Sequence, residues 1–238
     1  MAGWRPEERV RVPAARQGWY EMTFLHHGYR PEDVAPLLPP GLTPDVHEGL
    51  AWIGITPFWM HASLAPVLPG PRTWVPEVNL RTYVRDRRGR DAIWFFSLEL
   101  DHAAVSASLR SLLRLPYRWS SIGIDTTEAL RTTTVRRRPP HRDGALHLAV
   151  EVGRPLAASE VSELEAFLVG RWRAATRIGR AELRVPVEHP PWPLWSAELI
   201  AFEDQLSPSL GLPEPVTAPW VHYSPGVEVR LGAPRPPC

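Results

Sequence analysis

The stretch from Pro76 to Val84, P-E-V-N-L-R-T-Y-V, places residues that can do chemistry at a two-residue spacing. In an extended strand Glu77, Asn79, Arg81 and Tyr83 project to one side, and Val78, Leu80, Thr82 and Val84 to the other. A carboxyl, an amide, a guanidinium and a phenol on one surface are the groups that fix a carboxylate or carbonyl ligand. The plainer reading is the wet face of an amphipathic strand. The next strand, Ala92 to Leu100, argues against it. A-I-W-F-F-S-L-E-L is apolar on both faces and belongs in the middle of a sheet, so the polar row is expected to face a pocket.

Other chemistries find less support. None of the 27 basic residues in the Lys+Arg count is a lysine, so no internal side chain can form a Schiff base, and the only primary amine is at Met1. The single cysteine is Cys238, which leaves no internal disulfide or cysteine-based zinc site and suits the cytoplasm. Nine histidines include the pair His26 and His27, which point to opposite faces of a strand and cannot chelate one metal by themselves. No metal site is expected, although one assembled from distant histidines stays open. His189 and His222 are expected to hydrogen-bond turns. There is no G-x-S-x-G and no glycine-rich phosphate loop. Net charge is +1, and the arginine runs Arg85 to Arg90 and Arg136 to Arg138 fall in turns, so no nucleic-acid partner is expected. No apolar run is long enough to span a bilayer, and the first residues lack the apolar core of a signal peptide.

These residues need a scaffold, and 28 prolines favour short elements joined by firm turns. Strands are predicted at Gln17 to His27, Leu50 to Met60, Pro76 to Val84, Ala92 to Leu100, from Tyr117, Glu128 to Arg138, Ala145 to Val152, Ala181 to Glu188, Leu194 to Glu203 and Val227 to Leu231. Gly54 and Pro57 are read as possible bends, and Gly89 as a turn needing positive φ. A Pro-rich loop from His61 to Trp74 leads into the polar strand. Short helices are predicted at Pro31 to Leu38, at Ala103 to Leu113 capped by Asp101, and after a cap at Ser159. About ten strands and three helices argue for one mainly antiparallel β domain, with no linker long enough to divide it.

Five short segments in this order, N-L-R-T-Y-V, W-F-F-S-L, L-P-Y, H-P-P-W-P-L and H-Y-S-P-G-V, resemble the YqjF-like family of uncharacterised proteins. H-H-G-Y-R-P-E-D-V-A-P-L-L-P-P-G-L fits its opening block, with His27 where tryptophan is expected. The likeness runs from about Trp19 to Leu231. That family looks like a remote branch of the acetoacetate decarboxylase-like superfamily. The resemblance implies a mainly β fold: a closed antiparallel β-barrel or cone with a few peripheral helices and a pocket within, one domain over residues 1–238 with its core at about 17–232. It also implies a homo-oligomer. In acetoacetate decarboxylase the reactive lysine lies in P-K-K after a helix and faces an acid on an earlier strand. By the same alignment Tyr117 stands for that lysine, Arg118 for the second lysine, Glu77 for the acid, and Arg81 for a neighbouring anion-binding group.

Three functions follow as expectations. The first is a small-molecule binding protein that holds a carboxylate or carbonyl compound through Arg81, with Asn79, Tyr83 and Arg118 as further ligand groups and Trp94 and Phe95 as apolar wall. The second is a lysine-independent lyase or isomerase that uses Glu77 and Tyr117 for acid–base work. The third is a structural or partner-binding module. No cofactor is expected in any of them.

Overall fold

In this computed structural model, residues 6, 9–63, 71–178 and 181–236 are described. Met1, Cys238 and residues 64–70 of the Pro-rich loop lie outside that set. The strands are β1 (Ala15–Tyr29), β2 (Leu42–Pro44), β3 (Val46–His47), β4 (Leu50–Ala62), β5 (Thr73–Asp86), β6 (Asp91–Leu100), β7 (Tyr117–Thr126), β8 (Leu130–Arg137), β9 (Ala145–Pro155), β10 (Arg173–Ile178), β11 (Ala181–Glu188), β12 (Trp195–Asp204) and β13 (Trp220–Leu231). The helices are α1 (Pro31–Val34), α2 (Ala103–Leu113) and α3 (Glu163–Val169).

Alternating residue patterns make the long strands, and the strands close on themselves. One circuit runs β6-β7-β8-β9-β12-β13-β1-β4-β5 and returns to β6. A second leaves β6 through β10 and β11 and rejoins at β13. The strands β13, β1, β4, β5 and β6 are common to both. They form a wall with a core on each face, because their residues alternate between the two sides. One core is aliphatic and includes Leu25, Ile53, Ile55, Val78, Leu80 and Leu148. The other includes Phe24, Phe58, Tyr83, Leu98, Tyr117 and Trp192 and lies under α3. The mainly β architecture with few helices is therefore as the sequence implies.

A β-bulge decides how β6 serves this wall. Leu80 pairs with Ser97 but Arg81 pairs with Phe95, so Phe96 is the extra residue. The bulge reverses the facing of β6, which puts Leu98 and Leu100 on one side of it and Phe95 and Ile93 on the other side of it against the same core. This is why the strand reads as apolar on both faces.

Two helix caps differ from expectation. His102, not Asp101, caps α2 by accepting from the Val105 N–H. The Asp101 carboxylate accepts from the Ile122 N–H at 3.2 Å instead. Helix α3 starts later than Ser159 suggests: Ser162 and Glu165 form a reciprocal capping box there. The turn after β5 has Gly89 at φ 77°, the left-handed conformation expected of it.

Candidate functional site

The odd-numbered face of β5 is enclosed. Glu77, Asn79, Arg81 and Tyr83 are 4%, 7%, 7% and 0% exposed, which removes the wet-surface reading. They face the aromatic core together with the even face of β4, where register sets Phe58 beside Glu77, Thr56 beside Asn79 and Gly54 beside Arg81. The result is a polar floor inside an otherwise apolar compartment.

At one end of the floor the Tyr117 hydroxyl donates to Glu77 Oε2 at 3.3 Å. Both residues come from the sequence reading, and the structure brings them together. Burial raises the Glu77 carboxyl to about 8, with the Tyr117 bond opposing it. Burial, and then the neighbouring carboxylate, push the Tyr117 phenol well above its ordinary value. At neutral pH the pair is therefore a protonated acid and a protonated phenol, with a hydroxyl to spare for a third oxygen.

In the middle, Thr56 Oγ1 and Asn79 Oδ1 are buried with no hydrogen-bond partner. Arg81 lies beyond them. Its guanidinium carbon is 5.7 Å from the Phe24 ring centre and 6.0 Å from that of Tyr83, and its Nε has no partner. Among the described residues no carboxylate pairs with it. A cation this deep without a counter-charge is costly, and so are the two orphaned oxygens beside it.

Tyr83 closes the other end and is fully occupied. Its hydroxyl donates to the Leu168 carbonyl of α3 at 2.6 Å, so at 2.7 Å from His26 Nε2 it must accept. That fixes the proton on Nε2 of a neutral His26, whose pKa burial lowers well below its usual value, helped by the Arg81 charge. The ring of His26 reaches Tyr83 from β1 by crossing β4 at Gly54. A Cβ there would sit 2.8 Å from His26 Cδ2. Gly54 is thus a close-approach position, and β4 stays continuous through it.

The remaining expected residues divide. Phe95 packs on the core that holds Arg81, whereas Trp94, one step along, packs with Leu38, Leu42 and Val84 outside the compartment. Arg118 pairs in register with Glu99 and faces away from Tyr117. There Glu99 is held by Arg137 at 2.8 Å and by the Ser120 hydroxyl at 2.6 Å. Burial, then the Arg137 charge, lower the pKa of Arg118. A cleft of about 250 Å³ is bordered by Leu37, Trp94, Phe95, Phe96, Leu115 and Pro116, so Trp94 and Phe95 share it. Another, of about 510 Å³, lies apart from the floor and is bordered by Arg136, Arg138 and His147.

Sequence reasoning missed His26, Thr56 and Gly54 as parts of this site, and treated His189 as a turn residue. His189 does bond a turn, with Nδ1 2.6 Å from the Pro190 oxygen, but it is also buried beside Trp172 and Trp192. His222 meets Glu165 of α3 at 3.4 Å rather than a turn. Among the described residues no group of three or more His, Cys, Asp or Glu side chains could hold a metal ion. No described helix is long and apolar enough to cross a membrane.

The family DUF2071, described as an uncharacterised conserved protein, matches residues 16–228. The uncharacterised protein YqjF of Bacillus subtilis (strain 168) is 31% identical over 229 residues, covering 92% of each chain. Among solved structures, the enduracididine biosynthesis enzyme MppR complexed with pyruvate superposes with a TM-score of 0.64 at 16% identity, over 97% of this chain and 93% of that one. An acetoacetate decarboxylase-like enzyme from Sphingomonas wittichii RW1 gives 0.63 at 14% identity, over 98% and 96%. Acetoacetate decarboxylase from Legionella pneumophila gives 0.58 at 15% identity, over 98% and 91%. The chain belongs to the DUF2071 family and has the acetoacetate decarboxylase-like fold.

Proposed function

We propose that the enclosed floor is a binding site for a small organic carboxylate that also carries a carbonyl or hydroxyl oxygen. One observation carries this reading: Arg81, 7% exposed, has no carboxylate partner and stands beside two unpartnered buried oxygens. A ligand carboxylate would supply the missing charge through a guanidinium fork. The Glu77–Tyr117 pair would donate to the ligand's second oxygen. Phe95 and Phe24 would line its body, and the cleft along Phe95 and Pro116 would be the way in. Pyruvate in MppR is a ligand of this class on the same fold.

The protonation of Glu77 favours a second reading, in which the site also turns its ligand over. A carboxyl with a pKa of about 8 can give and take a proton near neutrality, and Tyr117 could steady an enolate oxygen as it forms. That would make the protein a lyase or isomerase of keto or hydroxy acids that does not use a lysine imine.

Titration calorimetry with pyruvate and acetoacetate tests the binding reading. The native protein is expected to bind, and Arg81→Gln to lose about 100-fold or more in affinity. Unchanged affinity in that variant would sink it. A screen of keto acids then tests the second reading: Glu77→Gln and Tyr117→Phe should each abolish any turnover found while binding persists. Borohydride added with pyruvate should attach to no internal residue.

A further inference from the structure

His189 stands in the same compartment as Arg81, and the reading above gives it no task. Its Nδ1 is 2.6 Å from the Pro190 carbonyl oxygen, which can only accept. Nδ1 therefore carries the proton, and Nε2 is left as a lone-pair acceptor. The residue is 4% exposed, with its ring centre 4.5 Å from that of Trp172, 4.9 Å from Trp192 and 6.4 Å from Trp19. Among the described residues no group hydrogen-bonds Nε2. Burial lowers the imidazole pKa to about 4, and the Arg81 charge acts in the same direction. The ring is therefore neutral.

The geometry links this acceptor to the unpaired cation. Trp192 meets Phe24 edge-on, with centroids 5.1 Å apart and planes at 80°. The Arg81 guanidinium lies 5.7 Å over the same Phe24 ring. An aromatic shelf thus runs from a donor-only group at one end to an acceptor at the other. We propose, resting on the reading that Arg81 binds a carboxylate, that His189 Nε2 accepts a hydrogen bond from a hydroxyl of the same ligand, so that the compartment selects hydroxy acids with an apolar or aromatic body. A guanidinium alone cannot tell one acid from another. The imidazole lone pair can: an acid with no donor at its far end leaves it without a ligand partner, and a keto oxygen at that end sets acceptor against acceptor. The faces of Phe24 and Trp192 suit an apolar body between the two polar ends.

The test is titration calorimetry of the whole protein with 3-(4-hydroxyphenyl)propanoate, whose ring separates its hydroxyl from its carboxylate, and with 3-phenylpropanoate, the same acid without its hydroxyl. The hydroxy acid is expected to bind about tenfold more tightly. His189→Phe should erase that ratio while keeping the affinity for phenylpropanoate, and His189→Gln, whose side-chain oxygen can accept, should restore part of it. In the unaltered, ¹⁵N-labelled protein the Nε2 resonance of His189 should move on adding 3-(4-hydroxyphenyl)propanoate and stay on adding phenylpropanoate. A purely packing role would not produce that difference, and this measurement decides the matter if a variant does not fold. Equal affinity for both acids, with Arg81→Gln losing both, would overturn the role of His189 and leave that of Arg81 standing. If neither acid binds, or if Arg81→Gln binds both unchanged, the carboxylate reading falls and the proposal with it.

Discussion

A carboxyl that stays protonated at neutral pH weakens the fold that buries it, and Glu77 makes the effect measurable. Its folded pKa, about 8, is raised above the ordinary 4.5, so the folded state holds a proton that the unfolded chain releases. The penalty is absent below the ordinary value, grows as pH rises, and is complete above the raised one. Glu77→Gln keeps an acceptor for Tyr117 and removes the titration. It is expected to stabilise the protein by on the order of 3 kcal/mol at pH 7 and by little near pH 4.5. Urea denaturation at both pH values checks this, and equal gains at the two would refute it. At the residue scale the types in P-E-V-N-L-R-T-Y-V already pointed to the row, and the structure encloses it. His26 was illegible because its partner Tyr83 is distant in sequence and reached across a third strand. The only local sign was a glycine in an apolar strand, and Gly54 reads as readily as a bend as it does a crossing point.

Among the elements, α3 is the cover of the compartment and is held by side chains outside its own turn-to-turn bonding. The Tyr83 hydroxyl takes the Leu168 carbonyl, and His222 meets Glu165. Just past the helix, Arg171 pairs with Asp45 at 2.7 Å and Asp91 at 3.1 Å while lying 4.0 Å over Phe167. Tyr83→Phe removes one oxygen and strands two groups, the Leu168 carbonyl and the His26 Nε2–H. We expect a loss of about 2 to 4 kcal/mol, with amide exchange in α3 accelerating more than in β5. If α3 exchanges as in the native protein, Tyr83 is not its tether. Element existence was mostly readable, whereas caps were not. Asp101 and Ser159 are good cap types near apolar patterns, but a neighbour a few residues on took each role. β10 went unread because R-A-A-T-R-I has no clear two-residue rhythm, and its place beside β6 rests on a distant parallel pairing.

At the scale of the molecule, acid should act through the buried imidazoles. His26 and His189 are neutral inside, with pKa values below the ordinary 6.5 and, for His189, about 4. Their sign is opposite to that of Glu77: stability is full above 6.5 and is lost as pH falls towards the folded values. His189→Phe, which fills the space without titrating, should recover about 2 kcal/mol at pH 5 relative to its effect at pH 7.5. Thermal melts at the two pH values test it, and an equal shift at both would remove His189 from the acid response. The strand count and antiparallel character could be argued from periodicity. The forked closure could not, since it depends on β6 and β13 each taking different neighbours at their two ends.

That fork leaves β5 without an outside. One face of its central residues meets the polar compartment, the other meets the aliphatic core, and both edges are paired to β4 and β6. An ordinary strand of a half-wetted sheet has a side on which substitutions drift freely. From Glu77 to Val84 this one has none, and a library across it should show no two-residue rhythm of tolerance. New specificities on this scaffold are then easier to reach by changing what covers the strand, α3 and the segment around His189, than by changing the strand itself.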